Sequence, residues 1–357
     1  MTIRSIQASL DRHIDPEETV LVALSGGVDS MVMLHTTKLL RPDLRVIAAH
    51  VNHSLREEAT SDVELCQRTC EGLGVELRAL TADVGKIARE ENIGLELAGR
   101  QVRHAFFENL RDQENCSAVL LGHHADDRVE TLLHNLMRGS GIHGLAAMKQ
   151  WSPFSRYLRP LLDLTKREII GIAEENDIEW HEDHTNAETD FDRNWLRNDV
   201  VPMLETRRSG VRNSLLRTAS AAEDISDYMR SQAKDLLAKN AFVHPDINKS
   251  TFFDVDTILG AHPALQAEVI QYIWTKLHGS GSGFSQKRFK ETIGWLGNES
   301  LKNGSSLYFG EDHRLCNRNG RIGAVTSINS MDRLLKDIGM MTDSDELILT
   351  KDGLKCR

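Results

Sequence analysis

The first 150 residues alternate between short, continuous apolar runs and longer stretches in which apolar residues recur at helical spacing. Continuous apolar runs of strand length are typical of strands buried on both faces of a parallel sheet, with helices as the crossovers. The pattern therefore predicts an α/β fold with a doubly wound, mostly parallel sheet that binds ligands at the carboxyl ends of its strands. The apolar runs are residues 20–24, 45–49, 75–80 and 118–122, and the helical patterns are residues 30–40, 59–73, 95–111 and 126–137.

The character of the chain changes after Pro202. Beyond it the spacing of apolar residues is mainly helical, with short alternating segments suited to a small sheet near 305–326. We therefore expect an α/β domain over residues 1–205 and a smaller, mainly helical domain over 206–330. Residues 331–357 form a tail to which the sequence assigns no role.

Composition limits the class of protein. Of the 357 residues, 40% are hydrophobic and 27% are charged, which is ordinary for a globular chain and excludes a fibrous or wholly disordered one. The net charge of −10 argues against a surface that binds nucleic acid everywhere, although a local basic patch is compatible with it. The five cysteines include no C-x-x-C pair, which predicts a reduced protein. The sequence shows no secretory signal and no run of about 18 apolar residues, which predicts a cytoplasmic protein without a membrane span.

The first apolar run leads into a glycine-rich turn that opens a helix. Glycines let the backbone approach a phosphate, and the start of a helix offers free N–H groups and a positive dipole. A carboxylate in such a loop is explained if it holds Mg²⁺. The alternative is a plain strand–helix turn in which Asp29 or Ser30 caps the helix. The candidate ATP site, with Asp29 as the metal ligand, consists of Ser25, Gly26, Gly27, Val28, Asp29 and Ser30.

A second polar cluster follows the fourth apolar run. Asp127 and Glu130 are three residues apart, so they share one face of a helix. They could hold Mg²⁺ or bind and deprotonate an ammonium group, while Asp126 and Asp127 could instead only cap the helix. A zinc or iron site is a weaker alternative, and its ligands would be His123, His124, Asp127, Glu130 and His134.

Arg100 and Arg103 lie one helical turn apart. They form either a solvated helix face or a clamp for a phosphate or carboxylate.

Several segments together resemble a known family. SGGVDS is similar to the signature of the N-type ATP pyrophosphatase superfamily, and residues 20–204 resemble the tRNA(Ile)-lysidine synthetase family. The segments that carry this resemblance are HVNHSLR, GRQVRHAF, LGHHADDRVETLLHNLMRGSGIHGLAAM, LRPLLDLTKREI, WHEDHTN and DRNWLRNDVVPML.

The resemblance implies an activity and its cofactors. ATP, with Mg²⁺, would adenylate position 2 of the wobble cytidine in a tRNA(Ile) that carries a CAU anticodon. The ε-amine of free L-lysine would then displace AMP, and the product lysidine would read AUA. Asp29, Asp127, Glu130 and Arg103 are the catalytic residues that the resemblance implies.

In this interpretation residues 1–205 are the catalytic domain and residues 206–330 bind tRNA, and the chain could act as a homodimer. Two alternatives stay open, a tRNA thiolase of the same superfamily and a non-catalytic, nucleotide-dependent tRNA-binding protein. Cations near the end of the catalytic domain are the candidate tRNA contacts, either as phosphate ligands or as a solvated face. They are Arg138, Arg193, Arg197, Arg207 and Arg208.

Overall fold

The computed structural model describes most of the chain, and it divides by packing into two compact units, Met1–Asp224 and Ile225–Arg357. The described residues are 2–52, 59–153, 155–182, 191–243, 251–278, 285–298, 305–310, 314–318, 321–325, 347–350 and 353–356.

Strands and helices alternate in the first unit, as the apolar pattern predicts. The strands are β1 (Thr19–Ala23), β2 (Arg45–Asn52), β3 (Glu76–Thr81), β4 (Ala118–Leu120), β5 (Trp151–Ser152) and β6 (Tyr157–Leu158). The helices are α1 (Thr2–His13), α2 (Val28–Leu40), α3 (Ala59–Leu73), α4 (Val84–Glu90), α5 (Leu95–Gln113), α6 (Ala125–Met137), α7 (Ile142–Leu145), α8 (Lys166–Glu175), α9 (Phe191–Trp195) and α10 (Val201–Arg207), with a π-helical turn at Leu196–Val200 and the start of α11 (Val211–Asn240).

The six strands form one sheet in the order β3-β2-β1-β4-β6-β5. All neighbouring pairs are parallel except β5 with β6, which confirms the predicted doubly wound, mostly parallel sheet. The chain leaves β1 toward β2 on one side and returns to β4 on the other, so the strand order reverses between β1 and β4. In open α/β sheets the crevice at such a reversal is where ligands bind.

Alternate residues of each central strand face opposite sides of the sheet. In β1, Val20 and Val22 belong to an apolar core that includes residues of α1, α2 and α8. Leu21 faces the other core, where it joins Phe107 and Leu110 of α5. Because both faces are covered, the strands read as continuous apolar runs.

The second unit has helices and an antiparallel sheet. Its helices are the rest of α11, α12 (Val255–Gly260), α13 (Pro263–His278) and α14 (Gln286–Leu296). Its strands are β7 (Ala241–Val243), β8 (Thr251–Asp254), β9 (Ser306–Tyr308), β10 (Arg314–Arg318), β11 (Arg321–Val325), β12 (Leu347–Thr350) and β13 (Gly353–Cys356).

Strands β7 to β11 form a five-stranded sheet in the order β7-β8-β11-β10-β9. It includes the small sheet that the sequence suggested near 305–326. Phe309, fully buried, packs edge-on against Trp274 of α13 in the core of this unit. In the predicted tail, β12 pairs with β13, and residues 331–346 lie outside the described residues. The predicted roles of 1–205 and 206–330 stay predictions.

Candidate active site

The turn after β1 has a backbone that requires glycine at one position. Gly26 has φ of +87°, in the left-handed region that side chains other than glycine disfavour. A Cβ at this position would also lie 3.6 Å from Cβ of Asp62. The positive φ is therefore the feature that favours glycine in this turn, and Asp62 lies beside it.

Serine hydroxyls hold this loop in shape. Ser30 Oγ donates to the carbonyl of Gly27 at 2.9 Å and accepts from the N–H of Ser25 at 3.0 Å. Ser25 Oγ lies 3.1 Å from Ser30 Oγ. The two serines that the sequence suggested as phosphate ligands thus also close the turn.

Helix α2 begins at this turn without a side-chain cap from the described residues. Gly27 occupies the capping position and offers no side chain. The first N–H groups of a helix have no partner within the helix, so here they are available to an anion, with the positive end of the helix dipole behind them. The geometry fits the predicted nucleotide site.

Asp29, in the first turn of α2, is paired with a lysine that the sequence analysis did not select. Lys166 Nζ donates to both carboxylate oxygens of Asp29, at 2.9 and 2.8 Å. The lysine side chain is 42% exposed and the aspartate side chain 26% exposed, so this pair lies at the surface of the crevice. A cation is therefore present at the phosphate loop.

Local contacts fix the position of Lys166. It is the first residue of α8, which Thr165 and Glu168 cap reciprocally. The Lys166 backbone N–H donates to Asp126 Oδ2 at 2.7 Å, which joins the start of α8 to the start of α6. Thr165-x-x-Glu168 is visible in the sequence as a capping signal, so it could have placed Lys166 at a helix start.

Asp127 and Glu130 lie together on α6, next to the phosphate loop because β4 is the neighbour of β1. Gly122 makes the close approach, since a Cβ there would lie 3.3 Å from the backbone of Asp29. Asp127 Oδ2 also accepts from the backbone N–H of His124 at 3.0 Å. The helix-capping interpretation is thus correct for Asp127, and it leaves the other oxygen for a second partner.

That second partner is Arg197, on the π-helical turn. Arg197 Nε donates to Glu130 Oε1 at 2.6 Å, and Nη2 donates to Glu130 Oε2 and to Asp127 Oδ1, each at 3.1 Å. Arg197, which the sequence predicts to contact tRNA, therefore binds through its guanidinium to the two carboxylates that are predicted to bind an ammonium. The two predicted sites meet at one place.

Opposing effects act on Glu130, whose side chain is 5% exposed. Burial raises its pKa, the hydrogen bonds and charge of Arg197 lower it, Asp127 raises it and His124 lowers it, with burial dominant. Arg197 itself has a raised pKa because the carboxylate contacts outweigh its own loss of hydration. The raised pKa of Glu130 despite a salt bridge identifies a carboxylate that binds a proton readily once its partner leaves.

The remaining predicted site residues lie in different settings. Arg103 on α5 is exposed and has no hydrogen bond or ion pair with the described residues, while the protein around it lowers its pKa by desolvation. Arg138, Arg207 and Arg208 are exposed, as tRNA contacts would be, and Arg193 is half-buried with a polar partner.

Two further residues that the sequence analysis missed brace the phosphate loop. The His181 backbone N–H donates to the carbonyl of Gly26 at 3.0 Å. Its side-chain Nδ1 lies 2.7 Å from Asp62 Oδ1. His181 belongs to the segment WHEDHTN, but neither this segment nor a helical aspartate indicated that the two residues would meet there.

The alternative zinc or iron site does not assemble among the described residues. Among the described residues, no three histidine, cysteine or acidic side chains are grouped so that they could hold a metal ion. Asp127 and Glu130 instead face Arg197, and Asp126 pairs with Arg212. Within the same residues, no helix has the length and apolar character needed to cross a membrane.

The fold and site define an α/β protein with a phosphate loop at the topological switch of its sheet. A protein-family model described as "PP-loop domain" matches residues 2–204 of the chain. The chain belongs to this family, and family membership implies that it uses ATP.

Individual relatives share the same region. A tRNA(Ile)-lysidine synthase of Clostridium tetani is 37% identical over 195 residues, 54% of this chain and 42% of that protein. One of Bacillus subtilis is 30% identical over 303 residues, 83% of this chain and 64% of that protein. The matched region thus covers 42% to 64% of the length of these two curated relatives.

Among solved structures, the chain is similar to the U34-tRNA thiolase NcsA of Methanococcus maripaludis with its [4Fe-4S] cluster. The TM-score is 0.53 and the identity 21%, over 62% of this chain and 77% of that one. A similarity at this level supports the fold alone.

Proposed function

We propose that this chain ligates free L-lysine to position 2 of the wobble cytidine of a tRNA(Ile) with a CAU anticodon, after adenylation of the base by ATP. The relatives named tRNA(Ile)-lysidine synthase support this substrate. The observation that carries the chemistry is that a phosphate loop lies beside a carboxylate pair already occupied by a cationic side chain.

In the first step the 2-oxygen of cytidine attacks the α-phosphorus of ATP and pyrophosphate leaves. The open start of α2 and the Ser25–Ser30 turn would hold the phosphates. Lys166 Nζ, 2.8 Å from Asp29, places a positive charge where pyrophosphate becomes the leaving group. Adenylation converts a poor leaving oxygen into AMP.

Asp29 suits Mg²⁺, because this ion is usually held by one or two carboxylates together with substrate phosphates and water. Bound there, Mg²⁺ would neutralise phosphate charge. Both oxygens of Asp29 now accept from Lys166, so Asp29 would have to share its carboxylate with the ion or release the lysine to the phosphates.

In the second step the ε-amine of lysine attacks carbon 2 of the cytidine, and AMP leaves. Asp127 and Glu130 hold the guanidinium of Arg197, so the same oxygens can hold the ammonium of the substrate once Arg197 moves. Departure of Arg197 removes the hydrogen bonds and the charge that lower the pKa of Glu130 most. Glu130 then becomes the base that takes the proton from the amine.

For the RNA, the exposed Arg138, Arg207 and Arg208 would contact phosphates, with Arg193 beside them. Arg103 has no carboxylate partner within hydrogen-bond distance among the described residues, so it is available for a phosphate or for the carboxylate of lysine. Arg197 would serve both the carboxylates and the RNA. Homodimer formation and a tRNA-binding role for 206–330 belong to the same proposal.

The thiolase alternative requires a reactive thiolate or cluster ligands. Burial raises the pKa of Cys66 to about 12 and that of Cys70 and Cys116 to about 11, so these thiols are protonated and inert at neutral pH. A non-catalytic nucleotide-binding protein would have no use for a buried carboxylate with a raised pKa. Both observations favour the ligase.

The test is transfer of labelled lysine to a tRNA(Ile) transcript with a CAU anticodon, in the presence of ATP and Mg²⁺. We expect transfer by the native chain and none by Asp127→Asn, which keeps the size of the side chain and one acceptor oxygen. The control is Asp199→Asn, an exposed carboxylate two residues from Arg197 with no hydrogen bond or ion pair to the described residues. Incorporation of sulfur without lysine, or full activity of Asp127→Asn, would contradict the proposal.

A further inference from the structure

His123 follows β4 at the edge of the crevice, one residue after Gly122 and one before the start of the α6 cap. Its ring is half-buried and makes one hydrogen bond within the described part of the chain. The partner is Arg159, whose Nε lies 3.3 Å from His123 Nδ1. Neither residue takes part in the steps of the proposed ligase reaction.

The chemistry of this contact fixes the proton on the ring. A guanidinium only donates hydrogen bonds and stays charged. Nδ1 of His123 must therefore accept, so it carries no proton, and the single proton of a neutral ring is on Nε2. A protonated ring would put two N–H groups face to face.

Hydrogen bonds to the backbone fix the position of Arg159, so its guanidinium stays beside Nδ1 of His123. Its Nη1 donates to the carbonyl of Lys149 at 2.9 Å, and its backbone N–H donates to the carbonyl of Gln150 at 2.9 Å. It follows Leu158 in β6, which pairs with β4, so the sheet itself brings the two residues together. Arg159 is a positioning residue for the imidazole.

Neighbouring charges act mostly in the same direction. Burial, followed by the charge of Arg159, holds the pKa of His123 well below its usual range. Asp127 opposes this effect, and His124 and Arg103 reinforce it. The electrostatics therefore agree with the neutral ring that the hydrogen bond requires.

On the other side of the ring, Nε2 has no hydrogen-bond partner among the described residues. Because β4 lies parallel to β1 and next to it, His123 is at the same edge of the sheet as the phosphate loop, where the adenylated base would be formed. A neutral imidazole N–H there stabilises negative charge on an oxygen without giving up its proton. Because a neutral imidazole is a weak acid, it would also leave the ε-amine of the substrate lysine unprotonated.

We propose that His123 acts as a neutral hydrogen-bond donor through Nε2 to an anionic oxygen of the adenylated tRNA, and that Arg159 fixes the tautomer that makes this possible. This inference rests on the proposed lysine ligase function.

The direct test is nuclear magnetic resonance of the full chain with isotope-labelled histidine, with the His123 signals assigned by their loss in His123→Gln. We expect a neutral ring with the proton on Nε2 from about pH 5.5 to about pH 8, where an ordinary histidine titrates. Arg159→Met should mix the tautomers and raise the pKa toward the usual value, and Arg159→Lys should restore the native state because an ammonium also only donates. Arg156→Met is the control, since the Arg156 side chain is exposed and has no partner among the described residues.

Activity supplies the second readout. Glutamine can present an N–H near the position of Nε2, whereas asparagine presents one near Nδ1. We therefore expect lysine transfer by His123→Gln to exceed that by His123→Asn, and His123→Leu to lose roughly a hundredfold in rate, the loss typical of one such donor.

A proton on Nδ1 or a charged ring at neutral pH in the native protein would overturn the inference, as would equal rates for the three variants. Absence of lysine transfer by the native chain would instead refute the proposed function, and with it the role of Nε2, whereas the tautomer result decides the role of Arg159 by itself.

Discussion

Replacement of Lys166 by methionine separates a role in nucleotide binding from a role in folding. The substitution keeps most of the side-chain length and removes the ammonium that donates to both oxygens of Asp29 at 2.9 and 2.8 Å. Its 42% exposure means that solvent screens this pair, so its contribution to the free energy of unfolding is about 1 kcal/mol or less. We expect only a small change in Tm.

The effect on ATP should be larger. Without Lys166, the Asp29 carboxylate faces the phosphates with no cation beside it. A hydrogen bond to a charged group contributes about 1.5–3 kcal/mol, and about 1.4 kcal/mol corresponds to a tenfold change in Kd. The Kd for ATP should therefore rise by roughly 10- to 150-fold.

The assay is calorimetric titration of ATP at constant Mg²⁺ and constant ionic strength, with thermal unfolding measured in parallel. Arg167→Met is the matched control, because Arg167 is the next residue of α8, is exposed and has no hydrogen bond or ion pair with the described residues. An unchanged Kd for ATP in Lys166→Met, or an equal loss in Arg167→Met, would refute the assignment of Lys166 to the nucleotide.

Two more predictions follow from single positions. Gly26→Ala should destabilise the chain by about 1 kcal/mol and weaken ATP binding, because φ of +87° is strained for alanine. The measurements are denaturant unfolding and the Kd for ATP. The control is Gly171→Ala, in an open helical position, which should show neither effect. The pKa of Asp43 is lowered from 3.8 to about 2, chiefly by the hydrogen bond from Arg41 and in part by backbone N–H groups, so the stability that Asp43 adds is present above pH 3.8 and is lost as the pH falls toward 2. In Arg41→Met the unfolding free energy should vary less across this window, and an unchanged acid profile would contradict the pairing.

The succession of apolar runs and helical spacing was sufficient to predict the α/β class, and the motif SGGVDS was sufficient to predict the glycine turn that opens a helix. These features depend on local physics: strand burial, the spacing of helix faces and the conformational freedom of glycine at Gly26. The same patterns placed Asp127 and Glu130 on one helix face at a strand end. Sequence patterns predict these features because each of them depends on only one or two elements of secondary structure.

Only the tertiary structure decided which distant charges meet. Lys166 is 137 residues from Asp29 in the sequence, and Arg197 is 67 residues from Glu130. The sequence alone does not say that β4 lies beside β1, or that the π-helical turn brings Arg197 to the carboxylates of α6. Such contacts depend on how helices pack on the sheet, and no local pattern encodes this, because a lysine or arginine at a helix start looks the same whether its partner is solvent or a carboxylate.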